Sequence, residues 1–103
     1  MFRRGRFADV ISRQLDLFAE DESELIAECR VKEREYDRSG RDEAEEAYGD
    51  YMDAVESATE ALADMRDRFA RTLGEDAAEA YEDEFNRAVR KRWPAFGLEI
   101  ENR

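Results

Sequence analysis

The chain of 103 residues contains no histidine, one cysteine, one proline and five glycines. Without imidazole it lacks the commonest general base and metal ligand, and every triad that depends on them. A ferritin-like di-iron centre needs Glu-x-x-His pairs on facing helices and is excluded for the same reason. A lone Cys29 makes no internal disulfide and gives no reason to infer an oxidising compartment. So little proline and glycine leaves scant material for turns, which argues against a sandwich or barrel. Glycine-rich phosphate loops and nucleophile elbows are missing as well. No stretch approaches the roughly 18 apolar residues of a membrane span. The basic start at Arg3, Arg4 and Arg6 is followed by Asp9, Arg13 and Asp16, not by the apolar run of a signal peptide. A cytoplasmic protein with no membrane span is the expectation.

What the chain has in excess is charge. Charged residues make up 44% and the net charge is −11, far above the usual charged quarter. The distribution is uneven: residues 1–13 carry +3, residues 14–86 carry −17, and Arg87, Arg90, Lys91 and Arg92 give +4 just before the tail. An acidic middle thus lies between two short basic ends.

Residues 42–73 set the pattern for the rest. In heptads, one core column reads Tyr48, Val55, Leu62, Phe69 and the other Tyr51, Ala58, Met65, Thr72. Ala47, Ala54, Ala61 and Arg68 flank one side, and Met52, Thr59, Arg66 and Leu73 the other. Glu46, Asp53, Glu60 and Asp67 form an acidic back. Four consistent heptads predict one long amphipathic helix, about 48 Å at 1.5 Å per residue.

Upstream, residues 4–38 read as helix, with a choice at Glu20-Asp21-Glu22. Either Asp21 and Glu24 form a capping box that starts a new helix, or one helix runs through to pair with the central rod along its length. Gly40, taking a left-handed conformation, closes this segment, and Asp42 with Glu45 caps the next. Gly74 followed by Asp76 and Glu79 repeats the punctuation before a helix over 76–92, which Pro94 stops. In the tail, 94–103, Phe96, Leu98 and Ile100 alternate with Gly97, Glu99 and Glu101, as an extended clamp or arm would. The expected fold is a single all-α domain, an antiparallel bundle of three or four helices built on the 42–73 rod.

Candidate chemistry is sparse. Asp50, Asp53, Glu60 and Asp64 share a face of the rod at a spacing a hard cation could use. They lie opposite the apolar stripe and read as a solvated back. Cys29 reads as a packed thiol, since no histidine can activate it. No catalysis, cofactor or metal is expected. The apolar stripe of the rod is wider than one partner helix requires, and Trp93, Phe96, Leu98 and Ile100 add apolar surface beyond the last helix. Met52, Leu73, Trp93, Phe96, Leu98 and Ile100 are therefore the expected interaction surface. A homodimer, or a complex with an unspecified protein partner, would cover them. The alternative is an anion-binding patch for nucleic acid or a lipid surface, made of Arg3, Arg4, Arg6, Arg87, Arg90, Lys91 and Arg92, if the two basic ends meet. The acidic middle disfavours nucleic acid.

Overall fold

A computed structural model describes residues 5–103. Five helices follow one another: α1 (Ala8–Asp21), α2 (Ser23–Arg38), α3 (Ala44–Ala70), α4 (Glu75–Arg92) and α5 (Pro94–Glu101). The described residues contain no strand. The all-α expectation holds, with a molecule of 50 × 28 × 23 Å elongated along α3.

The segment before the rod is broken, and by a single residue. Glu22 leaves helical geometry at φ −110°, ψ 29°. Its N–H still donates to the Phe18 carbonyl at 2.8 Å, and its carbonyl accepts from the Ile26 N–H at 3.0 Å. No side chain caps either helix, so the expected Asp21–Glu24 box does not form. The kink sends the two halves to different partners. Antiparallel to α3 runs α2, with the Tyr36 and Tyr48 rings 5.2 Å apart and the Tyr51 hydroxyl donating to Glu33 at 3.1 Å. By contrast α1 lies parallel to α4: Phe7 meets Tyr81 at one end, while Asp16 meets Arg92 and Phe18 meets Trp93 at the other. One helix pairing with the rod along its whole length is therefore not what forms.

The connections need no left-handed residue, contrary to the role expected of Gly40: the described chain has no positive φ. Ser39 turns the chain in an extended conformation, its hydroxyl donating to the Tyr36 carbonyl at 2.7 Å. Gly74, also extended, precedes α4.

The heptads hold in the middle of α3, where Val55, Ala58 and Leu62 are essentially inaccessible, but not at its start, where Tyr48 is 48% exposed. Toward the far end burial rotates. Thr59, Ala63, Arg66 and Ala70 are buried, whereas Phe69 is half-buried and Thr72 is exposed. A straight helix drifts about 20° per heptad against a strict seven-residue repeat. In addition α3 serves three neighbours, with Tyr48 and Tyr51 against α2, Phe69 against α4 and Arg66 against the end of α5.

The tail is a helix, not an extended arm. Pro94 supplies the preset φ of a first helical position, where a missing N–H costs nothing. On a helix Phe96 and Ile100 share a face, so both enter the core, at 3% and 0% exposure, and Leu98 points away. Close return of α5 onto α4 needs Gly97, because a Cβ there would lie 2.8 Å from the Arg90 Cα. The far end of α5 is tied down by Arg66, a residue of α3. Its Nη1 donates to the Ile100 carbonyl at 3.1 Å and to Asn86 at 3.0 Å, its Nη2 donates to the Arg103 carbonyl, and its Nε reaches Asp67 at 2.9 Å.

Candidate functional site

The six apolar residues expected to form one interaction surface are divided by the fold. Phe96 and Ile100 belong to the core, Met52, Leu73 and Trp93 are half-buried, and Leu98 is 72% exposed. The tail that was to need a second chain is covered by α3 and α4. Other large exposed apolar side chains, Leu17, Val31 and Tyr48, lie on three further helices and add no common patch with Leu98.

The basic ends do not merge either. Arg3 and Arg4 lie outside the described residues. Arg6 stacks over the Phe7 ring at 5.2 Å, close to Glu84, whose carboxylate accepts from the Phe7 N–H at 3.1 Å. Parallel packing of α1 and α4 puts that corner eight residues, about 12 Å, along α4 from Arg92. Arg92 pairs with Asp16 at 2.7 Å and lies over Trp93 at 4.8 Å. Arg90 pairs with Glu101. Arg87 and Lys91 are exposed and form no ion pair among the described residues. Two of the four cations on α4 are thus committed within the fold.

What the fold leaves open is a groove of about 530 Å³ between α1 and α3. It exists because α1 turns toward α4 and leaves one flank of α3 without a neighbour. Phe18 of α1 and Ala61, Met65 and Phe69 of α3 make an apolar floor. Gln14 closes one side and accepts a hydrogen bond from the Tyr81 hydroxyl at 2.8 Å. The rim carries Asp21 and Glu22 from the elbow, and Asp64, Arg68 and Thr72 from α3. Asp21, Glu22 and Asp64 make no ion pair among the described residues. In the sequence, the only trace of this groove was a stripe on α3 too wide for one partner, with Ala61 in a flanking column beside the core positions Met65 and Phe69.

A second pocket, about 340 Å³, lies where α2 and α3 meet the α4–α5 corner, and is lined by Cys29, Tyr51, Trp93 and Phe96 among others. Tyr51 and Arg92 among its polar groups are already engaged within the fold. Burial pushes the Cys29 thiol up from its ordinary value, so it stays protonated. Burial and the bond to Glu33 hold the Tyr51 hydroxyl at about 12, and Arg92 covers the Trp93 ring.

Among the described residues no three acidic or thiol groups converge as metal ligands, and every buried side-chain polar atom has a hydrogen-bond partner. No described helix is long and apolar enough to cross a membrane. No protein-family model, curated protein or solved structure matches the chain.

Proposed function

We propose that this chain is a small, non-catalytic helical interaction module of the cytoplasm, and that its contact site is the α1–α3 groove. One observation carries this reading. On a domain whose buried polar atoms are satisfied, the half-buried Ala61, Met65 and Phe69 stay accessible along the longest helix, with the buried Phe18 ring behind them. Apolar surface concentrated in a groove is the usual mark of a helix-binding site.

Self-association is a narrower form of the same proposal. It draws less support than the sequence promised, since Phe96 and Ile100 are in the core and need no second chain. A photo-crosslinking residue at position 65, compared with one at position 53 on the back of α3, tests the module reading in intact host cells. Discrete adducts from position 65 and none from position 53 are expected. Equal adducts from both positions, or none from position 65, would remove the groove as the contact site.

A further inference from the structure

We infer that the groove receives a basic amphipathic helix of another protein; this rests on the groove being the contact site. The floor supplies the spacing. Ala61, Met65 and Phe69 stand at i, i+4 and i+8 on α3, forming a ridge along which a second helix can lay apolar anchors every three to four residues. Phe18, on α1, faces that ridge.

The rim supplies the sign. Asp21 and Glu22 stand on one side and Asp64 on the other, against Arg68 as the one basic lining residue. Within a chain of net charge −11, these carboxylates favour lysine and arginine flanking the anchors and speed encounter with a cationic partner. A second copy has the wrong charge. Three of the four exposed large apolar side chains have acidic neighbours within three residues: Leu17 has Glu20, Tyr48 has Glu45 and Leu98 has Glu99. Docking any of these three in the groove brings carboxylates against carboxylates; Val31, between Arg30 and Lys32, is the exception, and there the net charge of −11 on each copy opposes the approach.

The test uses a synthetic amphipathic peptide of leucine and lysine, about 18 residues long, and its counterpart with glutamate at every lysine. The protein carries labelled methionine methyl groups, so that Met65 reports on the groove and Met52, 13 positions along α3, on the remainder of the helix. The lysine peptide should shift Met65 and leave Met52 in place, and the glutamate peptide should shift neither. Asp21→Asn/Glu22→Gln/Asp64→Asn should weaken binding about tenfold or more. Asp53→Asn/Glu56→Gln/Glu60→Gln removes the same charge from the exposed back of α3 and should leave affinity within about twofold. If the two triple variants weaken binding equally, the general acidity of the chain and not the rim selects the peptide, and the inference falls. Equal binding of the glutamate peptide at Met65 overturns the basic partner while keeping the groove. A concentration-dependent Met65 shift without peptide makes a second copy the occupant. Unaltered affinity in Ala61→Trp, which fills the groove, with Met65 unmoved by peptide, sinks the groove and the inference together.

Discussion

Arg66 is 4% exposed, and four acceptors surround its guanidinium: Asp67, Asn86 and the carbonyls of Ile100 and Arg103. Burying that charge is tolerable because nearly every donor finds a partner. Arg66→Met should cost about 3 kcal/mol in a urea melt, because it strands acceptors at the end of α5. Arg66→Lys, which keeps the charge but not the fork, should recover only part of the loss. In the heptads Arg66 is one member of a flank column, and nothing local marks it as buried. Apart from Asp67, its partners lie 20 to 37 positions away, and a reading of periodicity within one helix cannot see them. Tyr81, wholly buried, gives a pH signature. Burial pushes its hydroxyl up to about 12, whereas in the unfolded chain it ionises near 10. Between those values the unfolded state holds fewer protons, so stability is fully present below about pH 10 and falls as pH rises toward 12. Tyr81→Phe should make that fall shallower in melts across the same range, and an unchanged slope would contradict the assignment.

At the scale of elements, the heptads describe the middle of α3 and not its far end. Val55, Ala58 and Leu62 were legible because they lie at the centre of the stripe, where the two core columns and the packed face coincide. Beyond Leu62 the helix serves α4 and α5 at once, and burial passes to Ala63, Arg66 and Ala70. Leu62→Ala should therefore cost about 2–5 kcal/mol, and the half-buried Phe69→Ala less than Leu62→Ala despite its larger side chain. Glu60→Ala on the back should change stability by less than about 0.5 kcal/mol. Urea melts ranking Phe69 above Leu62 would restore the strict heptad register. The tail misled for a simpler reason. Three apolar residues at positions 96, 98 and 100 satisfy a strand period, yet the first and last also satisfy a helical one. Gly97 decides between them only once Arg90 is seen beneath it.

For the whole molecule, a break near residue 21 was one of two open readings, while the fold class and the long central helix were readable from composition and apolar spacing. The groove was not, because it is a property of where α1 goes. That destination also governs how the molecule opens. The pairs α2–α3, α3–α4 and α4–α5 join neighbours in the chain across short connections. The docking of α1 on α4 instead links positions separated by 67 to 77 residues. Contacts across so long a span gain little until the intervening chain is already ordered. The first helix should then form its tertiary contacts last and release them first, as a separate cooperative unit. Native-state hydrogen exchange should show amides of α1 opening at a smaller free energy than those around Leu62, with little denaturant dependence. Equal protection of both would mean that α1 opens only with the whole. Since α1 is one wall of the groove, a partner that grips both walls would slow exchange in the first helix more than anywhere else, turning the least persistent element into the most sensitive reporter of occupancy.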